Sequence, residues 1–86
     1  MRVDNSHRQA ITTKYFGPTD SRGSRVKATA QAGSVTIPWD HALNSPDNHA
    51  AAAFALAKKY DWDKRAKRMI GGALHDGSGY AFVLEG

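Results

Sequence analysis

The chain has 86 residues, with twelve Lys+Arg against eight Asp+Glu for a net charge of +4. That length argues for one domain and a small core, since a chain this short buries only ~60% of its unfolded surface. The absence of cysteine excludes a disulfide framework, a thiol nucleophile and a cysteine-ligated zinc site, and it fits a reducing cytoplasm.

Residues 1–8 are polar, read as a flexible N-terminus, and lack the apolar core of a secretory signal. From Gln9 the texture changes. Ile11, Thr13 and Tyr15 alternate with Thr12, Lys14 and Phe16, a β-branched and aromatic run that predicts a strand. Gly17–Ser24 is turn chemistry. A second strand follows, with Val26, Ala28 and Ala30 facing a core and Arg25, Lys27 and Thr29 facing away. Ala32-Gly33 is the expected turn into a third strand, Ser34–Trp39, with Val35, Ile37 and Trp39 on one face. Pro38 marks an edge or a strand end, because it has no ladder donor.

Ser45-Pro46-Asp47 reads as an N-cap, a first-turn proline and an acid complementing the helix dipole. The helix should end near Tyr60, with Ala50, Ala53, Phe54, Leu56, Ala57 and Tyr60 on its apolar side. His49 falls near the middle of that side. The apolar run 50–57 is too short to cross a bilayer. Asp61–Lys67 reads as a charged connection. Met69–Leu74 and Tyr80–Leu84 read as two strands around the His75–Gly79 hairpin loop, and Gly71-Gly72 suggests a bulge or a close backbone approach. The expected fold is α+β, β-β-β-α-β-β over residues 9–86, one antiparallel sheet with a single helix across one face.

Ile11-Thr12-Thr13-Lys14-Tyr15, Gly17-Pro18-Thr19, Arg22-Gly23-Ser24-Arg25 and Lys27-Ala28 form a spaced pattern. It resembles small accessory proteins of phages, prophages and other mobile elements. The similarity runs through the alanine-rich helix before Trp62 to Gly77-Ser78-Gly79-Tyr80 and Phe82-Val83, about residues 10–84. The resemblance implies a regulatory or anti-defence context and carries no catalytic residue. The stretch Asp63–Arg68 lies outside the pattern.

Two basic groups are candidate binding residues. Arg25 and Lys27 share strand parity, Lys14 joins them if Ile11, Thr13 and Tyr15 pack inward, and Arg22 sits in the adjoining loop. A sheet face of this kind tracks phosphates, although an antiparallel sheet also exposes such positions to solvent without further purpose. Lys64, Arg65, Lys67 and Arg68 form the second group, preceded by Asp61 and Asp63. Trp62 beside them reads as a stacking platform for bases, a hot spot for a protein partner, or peripheral core. The Gly17–Ser24 loop has the composition of a phosphate cradle but lacks a P-loop ending, so an ordinary hairpin loop is the better reading.

The four histidines lack metal-ligand spacing, and no serine sits in a nucleophile elbow. No metal, cofactor or catalytic constellation is expected. Three functions remain in view: a nucleic-acid-binding accessory protein using both basic groups, an inhibitor of a host or defence protein or ribonucleoprotein, and an enzyme. A positively charged inhibitor would not act by imitating DNA. Exposed edge strands leave homodimerisation open.

Overall fold

Alternating β-branched and apolar residues separated by turn sequences build five strands, and an alanine-rich segment builds one helix. A computed structural model describes residues 10–85; the expected flexible segment 1–8 lies outside the described residues, with Gln9 and Gly86. The elements are β1 (Ala10–Phe16), β2 (Arg25–Ala30), β3 (Gly33–Pro38), α1 (Ser45–Lys59), β4 (Arg68–Ala73) and β5 (Gly79–Glu85). The expected β-β-β-α-β-β order holds. The strands form one antiparallel sheet in the order β3-β2-β1-β5-β4. Part of the charged connection after α1 is a 3₁₀ turn, Trp62–Lys64.

Register assigns each residue to a face. Tyr15 pairs with Val26 and Val26 with Ile37; Thr13 pairs with Ala28 and Tyr80; Ile11 pairs with Phe82. These residues face α1, whose alanines let the helix lie close to the sheet. Ile11, Val26, Ala28, Ala52, Ala53, Leu56 and Phe82 form the buried core. Ile11, Val26 and Leu56 each contribute about 1.5–3 kcal/mol by leaving water.

Four sequence expectations are corrected. The helix N-cap is Asn44, not Ser45: its Oδ1 accepts the Asp47 amide at 2.8 Å. The β2–β3 turn is Gln31-Ala32, because Ala30 already pairs with Gly33. β3 ends at Pro38, and Trp39 follows it, its amide donating to the Ser24 carbonyl at 3.0 Å. Phe54 is 51% exposed. The buried stripe of α1 is Asn48, His49, Ala52, Ala53, Leu56 and Ala57, which turns Phe54 away from the sheet. A phenyl ring at that interface would hold the helix off strands that alanine lets it approach.

Asn48 compensates for its burial by hydrogen bonding. Its Oδ1 accepts the Asp40 amide at 2.8 Å, and its Nδ2 donates to the carbonyls of Asp40 (2.9 Å), Asn44 (3.1 Å) and Leu43 (3.3 Å). This side chain fastens the loop after β3 to the first turn of α1.

Gly71 and Gly79 allow close approaches. A Cβ on Gly71 would overlap the Phe82 ring, and one on Gly79 would overlap the carbonyl of Thr13. The β4–β5 register is unbroken through Gly71-Gly72, so there is no bulge; Gly71 marks a close approach, by the Phe82 ring, and Gly72 does not. Gly77, at φ 77°, makes the turn between β4 and β5.

Two outcomes are expected in urea denaturation. Asn48→Ala leaves the Asp40 amide and the Leu43 carbonyl without these partners and lowers stability by about 2–3 kcal/mol. Gly79→Ala, which meets rigid backbone, destabilises far more than Gly72→Ala, which meets open space.

Candidate functional site

The face of the sheet away from α1 carries the first basic group. Arg25 pairs across the strands with Phe16, and Lys27 with Lys14. These four residues alternate with the inward-facing Tyr15 and Val26, so they project from the open face. The Lys14 Nζ lies 5.5 Å and the Arg25 Cζ 5.3 Å from the Phe16 ring centroid, so two cations flank one half-buried ring. Arg25 also donates to the Gly23 and Gly17 carbonyls at 3.4 and 3.5 Å, which holds its guanidinium at this end of the sheet. Among the described residues the ion pairs are Lys64–Asp61 and Arg68–Glu85. Lys14, Lys27, Arg22 and Arg25 therefore have no carboxylate partner there.

Beside this row the open face is nearly bare. Ser34, Thr29, Thr12, Ala81 and Gly72 pair in turn across all five strands. Small side chains in one transverse row make a shallow trough about 19 Å long, four strand spacings of ~4.8 Å.

The second basic group does not extend this surface. Lys14 sits opposite Gly79, whereas Arg68 sits opposite Glu85, six residues further along β5 and one strand beyond it. That separation is about 20 Å along the strands. Arg68 is tied to Glu85 at 2.7 Å and Lys64 to Asp61 at 3.3 Å. Arg65 and Lys67 are exposed, and the Lys67 amide donates to the Glu85 carbonyl. The single continuous basic surface that would join both groups is absent: they occupy opposite ends of the sheet. Trp62 is also not a free platform. It stacks on Tyr60, with centroids 5.2 Å apart, and packs against the core.

The Gly17–Ser24 loop closes on itself. The Thr19 amide donates to the Arg22 carbonyl at 2.7 Å, and the Arg22 amide to Thr19 Oγ1 at 3.1 Å. Two of its amides are thereby used internally, and its charged side chains, Asp20 and Arg22, are both exposed. Among the described residues no three His, Asp or Glu side chains are grouped to hold a metal ion, and no helix is long and apolar enough to cross a membrane.

A cleft of about 450 Å³ opens at the Phe16–Arg25 end of the sheet, on the helix side. Tyr15, Trp39, His49 and Tyr80 line it together with Ser24, Ser45, Ser78 and His41. His49 is 3% exposed, and its Nδ1 lies 2.7 Å from Thr13 Oγ1, which is 3.4 Å from the Tyr80 carbonyl oxygen. If the Thr13 hydroxyl donates to Nδ1, the ring presents an Nε2–H to the cleft; if Nδ1–H donates to Thr13, it presents a lone pair. In the adjoining β4–β5 turn, the Ser78 hydroxyl and amide hold the Asp76 carboxyl below its usual range.

Sequence reasoning singled out His49 but missed the cleft. The available signal was a second polar residue, Thr13, at an inward position of β1, able to meet an imidazole on the inner face of the helix. Comparison with family models, with curated proteins and with solved structures finds no match for this chain.

Burial lowers the His49 pKa below its ordinary 6.5. The unfolded chain takes up this proton near 6.5, while the folded chain resists until lower pH. Stability is thus fully present above that value, falls as pH drops below it, and levels off once the folded histidine titrates. Thermal melts between pH 8 and 5 should show this decline, and His49→Gln should flatten it.

Proposed function

We propose that this protein is a non-catalytic accessory protein of phage or mobile-element type that binds single-stranded nucleic acid across the open face of its sheet. The observation that carries the reading is the placement of Lys14 and Lys27 directly opposite each other, with no carboxylate paired to them among the described residues and with Phe16 between Lys14 and Arg25. Like charges directly opposite in a sheet are destabilising. Locally unfavourable arrangements of this kind concentrate where function requires them. Phosphates would neutralise the pair, and an aromatic ring on the same face offers a stacking surface to an unpaired base. A duplex hides its base faces, so the ring favours a single strand. The mobile-element context rests on the residue pattern from Ile11 to Ala28.

A second reading, a modulator that docks on a host protein, is favoured by one observation. Ile70 and Val83 are 44% and 36% exposed and pair with each other on the open face, and Val83 also pairs with Ala10. This small apolar corner lies at the end of the sheet away from Phe16. It suits a protein contact better than a phosphate backbone.

Titration into labelled single-stranded DNA, single-stranded RNA and duplex DNA at several salt concentrations tests the first reading. Lys14→Ala and Lys27→Ala should each weaken single-strand binding and reduce the log–log salt slope by about 0.7. Each should leave stability unchanged or raise it by about 0.2–1 kcal/mol, because a repulsive pair is lost. Phe16→Ala should cost about 1–3 kcal/mol of affinity. Lys64→Ala and Lys67→Ala should change little. Absence of binding at low salt would overturn the reading, and capture of one stoichiometric protein partner would replace it.

A further inference from the structure

We propose that the cleft between Trp39, His49 and Tyr80 binds one unpaired nucleotide, base inward and phosphate at the rim. This deepens the reading of the open face as a single-strand surface and rests on it.

The first argument is position. Tyr15 and Ser24 line the cleft, and their chain neighbours Phe16 and Arg25 end the basic face, so cleft and face meet along one edge of the sheet. A strand held by Lys14, Lys27 and Arg25 can turn over that edge and deliver a nucleotide.

The second is the wall. Tyr15 and Trp39 meet edge to face with centroids 4.9 Å apart, Trp39 and His49 meet at 5.9 Å, and His49 and Tyr80 lie 4.6 Å apart. Four rings in sequence offer π faces and edges to a flat ligand. The volume of about 450 Å³ falls within the ~300–1,000 Å³ range of small-molecule sites.

The third is polarity. Among the described residues, Asp63 Oδ1 is the buried side-chain N or O atom without a partner. His49 is buried, bonded through Nδ1 alone, and its Nε2 is not sealed off, so Nε2 reaches the cleft without a protein partner. Hydroxyls of Ser24, Ser45 and Ser78 and the His41 ring add hydrogen-bonding groups; the lining itself holds no carboxylate, and the neighbouring Asp76 carboxylate is bonded to Ser78. A nucleobase satisfies rings and Nε2 together, since it joins a π face to an edge of donors and acceptors. An aromatic side chain of a peptide, such as phenylalanine, would satisfy the rings and leave Nε2 unpartnered.

The test is an NMR titration of the labelled full chain with each of the four ribonucleoside monophosphates, and separately with inorganic phosphate. At least one monophosphate should shift the Trp39 indole and His49 ring resonances, and phosphate alone should not. Ser78→Phe, at an exposed turn position beside the cleft, should weaken monophosphate binding at least tenfold while the salt slope for an oligonucleotide persists. His41→Ala, on an exposed loop, should weaken it about threefold. Lys14→Ala/Lys27→Ala should do the reverse, weakening the oligonucleotide and sparing the monophosphate. Silence of Trp39 and His49 toward all four monophosphates at millimolar concentration would overturn the pocket, as would equal shifts with inorganic phosphate. Failure of oligonucleotide binding would instead remove the open-face reading, because the monophosphate titration reads the cleft on its own.

Discussion

The hydrogen bond between Thr13 Oγ1 and His49 Nδ1 joins the central strand to the helix at the one point where both are polar and buried. The rest of the buried helix–sheet core is apolar, mostly aliphatic with Phe82, which resists separation but discriminates weakly between neighbouring registers. A polar pair in such a layer is satisfied in one alignment only, because sliding α1 along β1 would leave an imidazole and a hydroxyl without partners. That alignment also places His49 between Trp39 and Tyr80 and so shapes the cleft.

β1 therefore serves two surfaces. Its inward residues Ile11 and Thr13 hold the helix, and its outward residues Lys14 and Phe16 meet Lys27 and Arg25. The alternation of a strand makes this division unavoidable: a one-residue slip would bury the lysine and expose the isoleucine. The apolar pattern that secures the core thus also fixes where the cations of the open face stand. Lys14 and Lys27 can move apart only by changing rotamer, because the register keeps both on the same face.

The element order and the faces of β1 and β2 were legible because period-two patterns are strong where one side is buried. The glycines at 71 and 72 were legible only as a bulge or a close backbone approach, because a missing side chain does not say that a ring, Phe82, lies over Gly71. The helix face was misread at Phe54. Hydropathy assigns a phenyl ring to the core, but the helix sits on alanines, and its inner stripe accommodates Asn48 and His49, which hydropathy assigns to water. Burial of those two depends on Asp40, Leu43, Asn44 and Thr13, partners supplied by a loop and a distant strand. The joint surface expected of the two basic groups failed for a related reason. Strand order and direction are tertiary facts, and they alone decide that Arg68 belongs beside Glu85, far from Lys14.

The position of β5 has a consequence for how the chain reaches this state. It lies between β1 and β4, and among the described residues β4 has no other neighbour in the sheet. Until the final described strand is in place, β1 offers a bare edge and β4 has nothing to pair with. The β1–β2–β3 meander pairs through local contacts, whereas closure of the sheet waits for contacts between residues some seventy positions apart, such as Ala10 with Val83. Such long-range pairing slows folding. The same adjacency brings the two ends of the described chain side by side. A circular permutant that joins them and opens the Gln31-Ala32 turn would convert the last strand-pairing event into a local hairpin.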